Sequence, residues 1–293
     1  MADPALSEQN MALSQQPTAV GEQPIAATSP RYNAVLTRRV DQHETLAFFW
    51  VAFSDEPVHF EPGQYLTIGV ESNGKLVQRP YSVASSPHQA SDGYEFYVRL
   101  VDGGLFTPLL WRAEVGQGMS MKGPKGKFVL EPDDDRTHVF ISTGTGIAPF
   151  ISMMETLRQD GAVRPAVILH GVSHGADLGY RELLEGWQRS GDYPLTYIPT
   201  VSRVAAPQNR GWNGRTGRVE TIINDVYGEL GLTPENTISY ICGNPDMIIA
   251  VDETLLGRGF PEEQIKKELY WPKGKEPTAA VRSGAVTPAI AEG

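Results

Sequence analysis

Apolar and polar positions change rhythm once along this 293-residue chain. In its first part, short runs rich in β-branched and aromatic residues recur at 32–40, 45–52, 65–70, 77–84, 95–100, 120–122 and 127–130. Turn-forming Gly, Pro, Asn and Asp separate them at 61–63, 73–74, 92–93, 116–118 and 123–124. Closely spaced strands with such punctuation predict a small antiparallel barrel or sandwich. One short helix is expected at 107–112, where Pro108 fits the first turn.

Beyond Asp133, Asp134 and Asp135 the rhythm becomes strand, helix, strand, helix. Strands are expected at 138–142, 166–171, 196–201 and 239–242, and helices at 148–160, 179–191, 219–227 and 246–257. That alternation predicts right-handed crossovers and a parallel sheet, with ligands bound beyond the carboxyl ends of its strands. Residues 1–30 and 272–293 are rich in small and polar residues without periodicity, and are expected to be disordered tails. The domain plan is thus a β domain at 31–132 and an α/β domain at 133–271.

Charge and composition narrow the chemistry. A formal net charge of -10 argues against nucleic acid as a partner, because a phosphate backbone rewards a basic face. The single cysteine, Cys242, excludes an intramolecular disulfide and a four-cysteine iron–sulfur cluster. No metal site is expected, so electron handling would require an organic cofactor. Neither a membrane-length apolar run nor a basic-then-apolar leader is evident, and the expectation is a cytoplasmic monomer without a membrane partner.

Five segments carry candidate chemistry. In RPYSVASS (79–86), strand alternation puts Arg79 and Tyr81 on one side, with Pro80 between them and Ser82 following. Such a segment can offer a flat redox ring an aromatic wall, an edge hydrogen bond and a cation for its diphosphate. An ordinary strand with a surface arginine is the plainer alternative. In ISTGTGIAPF (141–150), Gly144 and Gly146 expose backbone N–H groups before a helix start, a generic phosphate site or a turn that is glycine-rich for packing.

In YICGNPDM (240–247), Cys242 ends a strand and Asn244 can cap the next helix; a free cysteine here also reads as a small buried hydrophobe. VSR (201–203) and TGR (216–218) bring Ser202, Arg203 and Arg218 to element ends, suited to a phosphomonoester or simply solvated. KELYW (267–271) puts a carboxylate two residues before an aromatic, either against a cofactor or plugging a core.

In their order and spacing these segments resemble the ferredoxin–NADP(+) reductase family, its short bacterial ferredoxin/flavodoxin reductases above all, over 32–271. The resemblance implies an antiparallel Greek-key β-barrel FAD domain followed by a parallel-sheet α/β NADP-binding domain. It implies that Arg79, Pro80, Tyr81 and Ser82 hold FAD, with Ser82 near the flavin N5. Tyr97, Val98 and Arg99 match a second flavin-contacting strand. Gly104, Phe106 and Thr107 match the loop and helix start at the FAD diphosphate.

Thr143, Gly144, Thr145 and Gly146 would lie between flavin and nicotinamide, and Ser202, Arg203 and Arg218 would grip the 2′-phosphate of NADP(H). Ser82, Cys242, Glu268 and Tyr270 are the expected catalytic residues, with Tyr270 or Trp271 shielding the flavin. One departure stands out: where close relatives carry a further phosphate-binding arginine, this chain has Ser173 beside His174.

The partner implied is a ferredoxin or flavodoxin. Lys122, Lys125 and Lys127 offer such a protein a basic dock, or else keep a strand edge soluble. Two rivals remain: an NADH-dependent flavoprotein reductase component of an oxygenase system, and a non-catalytic nucleotide-binding regulator on the same scaffold.

Overall fold

The computed structural model describes residues 31–269. The two expected tails and the aromatic pair Tyr270 and Trp271 lie outside the described residues. Six strands form the first sheet: β1 (Ala34–His43), β2 (Leu46–Phe53), β3 (Tyr65–Ser72), β4 (Lys75–Ser82), β5 (Tyr94–Arg99) and β6 (Gly118–Lys125). Helix α1 (Thr107–Arg112) falls at its expected place between β5 and β6. The strand order is β4-β3-β6-β1-β2-β5, antiparallel throughout. Its two edges meet where Ala84 N–H donates to the Glu95 carbonyl at 2.8 Å, which closes the barrel.

The second sheet contains β7 (Thr137–Thr143), β8 (Ala166–Val172), β9 (Leu195–Val201), β10 (Arg215–Thr216), β11 (Thr237–Cys242) and β12 (Ile265–Glu268). All its pairs are parallel, in the order β10-β9-β8-β7-β11-β12. Its helices are α2 (Ala148–Gln159), α3 (Arg181–Ser190), α4 (Val219–Glu229) and α5 (Pro245–Gly257). Strands β8 and β11 are buried at every position, because helices cover both faces of the sheet. Phe140, Ile168 and Tyr240 pack on the α2 and α3 side, whereas Val139, Ile141 and Leu169 meet α4 and α5. Among the described residues, no helix is long and apolar enough to cross a membrane.

Strand β2 explains how the two sheets are joined. Its sequence LAFFWVAF is apolar almost throughout, although a barrel strand with one wet face would alternate. Ala47, Phe49 and Val51 fill the barrel, while Leu46 and Phe48 on the other face join the core of the α/β domain. The Phe48 ring stacks on Tyr97 at 4.6 Å and meets Tyr180 edge-on at 5.1 Å.

One expected strand is absent. Residues 127–130 follow β6 without regular structure, because Gly126 takes φ +112° and turns the chain away from the sheet. Phe128 then packs against Phe150 and Tyr240, with ring centroids 5.9 and 6.1 Å away. Its apolar residues fill the seam between domains instead of alternating along a strand.

Candidate active site

Strand order in the parallel sheet reverses between β7 and β11, so the loops after these strands diverge and leave a crevice. The loop after β7 carries Thr143 to Gly146 and the loop after β11 carries Gly243 and Asn244. They touch closely: Asn244 N–H donates to Thr143 Oγ1 at 2.8 Å. A Cβ added at Gly146 would lie 2.5 Å from the Cys242 carbonyl oxygen, so only glycine allows this approach. Gly144, with φ +53°, has open space where a side chain would project. Asn244 caps α5 by accepting from the N–H groups of Asp246 and Met247, at 2.9 and 3.3 Å.

These loops form one wall of a cleft of about 900 Å³ that runs between the domains. From the barrel come Pro80, Tyr81, Ser82, Tyr97 and Arg99; the β7 loop adds Thr143, Gly144, Thr145 and Gly146. Ser202, Arg203 and Arg218 line the far end, and Cys242 lies at the switch point. The cleft therefore gathers most of the expected residues. Ser82 Oγ donates to Glu268 Oε2 at 3.3 Å, and Glu268 stands beside Cys242 in the register of β12 and β11. Burial, and secondarily the Glu268 charge, push the Cys242 thiol well above the usual range, so it is neutral.

Several expected residues have other surroundings. Arg79 Nη1 donates to the Gln78 carbonyl at 2.6 Å, and Arg79 is not part of the cleft wall. Val98 and Phe106 are buried in the barrel core. Thr107 is buried too; its Oγ1 accepts from Val101 N–H at 2.9 Å and so braces the loop that holds Gly104. Tyr97 donates to the Asp177 carbonyl at 2.9 Å and accepts from Gly179 N–H at 3.1 Å. Arg99 pairs with the Asp177 carboxylate at 2.9 Å.

Sequence reasoning missed Asp177, His170 and Glu220. Asp177 also meets His43 Nε2 at 2.9 Å and ties both domains together. Burial alone would raise its pKa, but the bonds from Arg99, His43 and the His174 N–H outweigh that and lower it. His170, on fully buried β8, holds the Gly144 carbonyl through Nε2 at 2.9 Å. Burial lowers its pKa to about 4, so the ring is neutral. Glu220 lines the cleft and pairs with Arg218. Its signal was its position two residues past Arg218, in the first turn of α4.

The groups that line the cleft suit a flavin and a nicotinamide nucleotide. Tyr81, Ser82 and Tyr97 offer aromatic and hydroxyl groups on the barrel side, the open space at Gly144 admits a close ligand, and Arg203 and Arg218 bring positive charge to the other end, Arg218 already paired with Glu220. A barrel joined to a parallel sheet, with one cleft across the seam, defines a two-domain flavin- and nicotinamide-dependent reductase scaffold.

Residues 35–130 match the oxidoreductase FAD-binding domain and residues 140–253 the oxidoreductase NAD-binding domain. Ferredoxin--NADP reductase B of Sorangium cellulosum (strain So ce56) is 33% identical over 214 residues, which cover 72% of this chain and 85% of that protein. The phenol hydroxylase P5 protein of Acinetobacter pittii (strain PHEA-2) is 31% identical over 74% of this chain, which spans only 59% of that relative. A crystal structure of a ferredoxin NADP+ reductase from Neisseria gonorrhoeae, with bound FAD and NADP, superposes with TM-score 0.71 at 24% identity, over 82% of this chain and 99% of that one. The chain belongs to the ferredoxin–NADP(+) reductase-like family of flavin-dependent oxidoreductases. Its cofactors are FAD and a nicotinamide dinucleotide.

Proposed function

We propose that this protein is a ferredoxin– or flavodoxin–NADP(+) reductase, exchanging a hydride with NADP(H) and single electrons with a small redox protein. The observation that carries the reading is one continuous cleft with Ser82 at the barrel end and Ser202, Arg203 and Arg218 at the other. FAD, when bound, supplies the conversion between two-electron and one-electron chemistry. The residues supply position. Ser82 offers its hydroxyl at the edge of the flavin ring, and Glu268 fixes where that hydroxyl points. Cys242 presents a neutral, compact thiol to the nicotinamide, and the β7 loop presents backbone N–H groups to its diphosphate. Ser202, Arg203 and Arg218 hold the 2′-phosphate.

Exposed Lys122, Lys125 and Lys127 give an acidic ferredoxin or flavodoxin a complementary patch on the barrel. The reading also makes the protein a cytoplasmic monomer. A second reading, an NADH-dependent reductase component of an oxygenase system, is favoured by relatives such as the Comamonas terephthalate 1,2-dioxygenase reductase component 1, at 28% identity. Anaerobic stopped-flow mixing with NADPH and then NADH tests the choice. Faster flavin bleaching by NADPH is expected; equal or faster bleaching by NADH transfers the assignment to the oxygenase type.

A further inference from the structure

At the far end of the cleft, β9 ends at Val201 and α4 begins after Arg218. Arg218 is not a free cation there. Its Nε bonds to Glu220 Oε1, and both residues line the cleft. Glu220 is the more sheltered of the two, with side-chain exposures of 16% for Glu220 and 60% for Arg218. It occupies the first turn of α4, where the helix dipole favours a carboxylate. Its backbone is fixed by the helix, so the carboxylate stays close to whatever Arg218 binds.

The two possible adenosine riboses meet this pair differently. A 2′-phosphate brings a charge of about -1.5 to -2 near neutral pH and has to compete with Glu220 for Arg218. Among the described residues that line this end, Arg203 has no ion pair with a carboxylate and meets the phosphate unopposed. A 2′-hydroxyl is a donor, and a carboxylate is a good acceptor for it, the usual means of preferring the unphosphorylated dinucleotide. The neighbouring Ser173 and His174 add hydrogen-bonding groups without a fixed positive charge.

We infer that Glu220 is a specificity-determining residue that narrows the preference for NADPH over NADH, by engaging Arg218 against the 2′-phosphate and by accepting from the 2′-hydroxyl. This rests on the reading that Arg203 and Arg218 face the adenosine 2′ position. The test uses the full-length, FAD-loaded protein and two fragments that undergo no redox chemistry, 2′,5′-ADP and 5′-AMP, titrated by calorimetry.

In Glu220→Gln the affinity for 2′,5′-ADP relative to 5′-AMP rises about two- to fivefold, the scale of one partly exposed charge pair. The turnover preference for NADPH over NADH shifts in the same direction, through KM more than through kcat. An unchanged or reduced 2′,5′-ADP to 5′-AMP ratio in a variant that melts like the parent overturns the assignment. Arg203→Ala separates this from the underlying reading. If that variant binds 2′,5′-ADP as well as the parent does, the 2′-phosphate is not held here and the NADP assignment itself falls.

Discussion

Ser82 and Glu268 stand 186 positions apart in sequence, yet the hydroxyl of one donates to the carboxylate of the other at 3.3 Å. Ser82 ends β4 and Glu268 ends β12, the edge strand of the parallel sheet, so this bond ties the barrel to the α/β domain beside the cleft. It orients the Ser82 hydroxyl, which under the proposed function meets the flavin edge, and it places negative charge one strand away from Cys242.

Ser82→Ala therefore slows flavin reduction by about 10- to 100-fold while FAD stays bound, since orientation is lost and binding is shared with many other groups. Glu268→Gln keeps an acceptor for Ser82 and loses less. Single-turnover stopped-flow reduction, with flavin content measured alongside, checks both variants. Wild-type hydride transfer in Ser82→Ala removes Ser82 from the chemistry.

Asp177 governs the seam. It accepts charge-assisted bonds from Arg99 at 2.9 Å and His43 at 2.9 Å, and its main-chain carbonyl accepts from Tyr97. Asp177→Asn is expected to destabilise the protein by about 1–3 kcal/mol, less than for a fully buried pair because Arg99 and His43 are partly solvated. The folded pKa of Asp177 is lowered, so its contribution is present above the ordinary carboxylate pKa and disappears as pH falls through the folded value. Denaturant melts of parent and variant should converge at acid pH.

The strand and helix rhythm of both sheets was legible because Gly, Pro and Asn mark the turns at 61–63, 73–74 and 92–93 and the switch-point loops at Gly144, Gly146 and Gly243. What could not be read were long-range pairings. Nothing local distinguishes Asp177 from a loop aspartate; its partners Arg99 and His43 are set by how the domains dock. Residues 127–130 looked like a strand because a seam plug and a strand share the same apolar composition. Arg79 stands two residues before Tyr81 on β4, as period two requires, and its charge acts on Tyr81 while Nη1 donates to the Gln78 carbonyl.

His170 holds the glycine loop from beneath. The Gly144 carbonyl only accepts, so Nε2 carries the proton, and Nδ1 faces Tyr197 Oη at 3.4 Å as the acceptor. His170→Phe leaves the carbonyl unpaired, and KM for the nicotinamide nucleotide should rise about tenfold with a smaller change in kcat. With the folded pKa lowered to about 4, the unfolded chain binds the proton first. This histidine therefore contributes stability above its unfolded pKa of about 6.5, by up to roughly 3 kcal/mol, lost as pH falls toward the folded value. His170→Phe should flatten that part of the stability profile between pH 6.5 and 4.

The seam also holds an acid with the opposite behaviour. Glu155 of α2 has its pKa raised to about 7, first by burial and then by the charge of Glu95 on β5; the Ser86 N–H and Arg158 oppose this. Glu95 is itself raised by burial, although it accepts from Tyr180 Oη at 2.5 Å and faces Arg38. For a carboxyl raised in the folded state, the folded protein holds a proton that the unfolded chain has released. The associated stability is complete below the unfolded pKa near 4.5 and is lost as pH rises through about 7. Glu155→Gln, which mimics the protonated group, should melt like the parent at pH 5 and be more stable by about 1–3 kcal/mol at pH 8. A parent whose melting temperature relative to Glu155→Gln is constant across that range would mean the pair is solvated and carries no such proton.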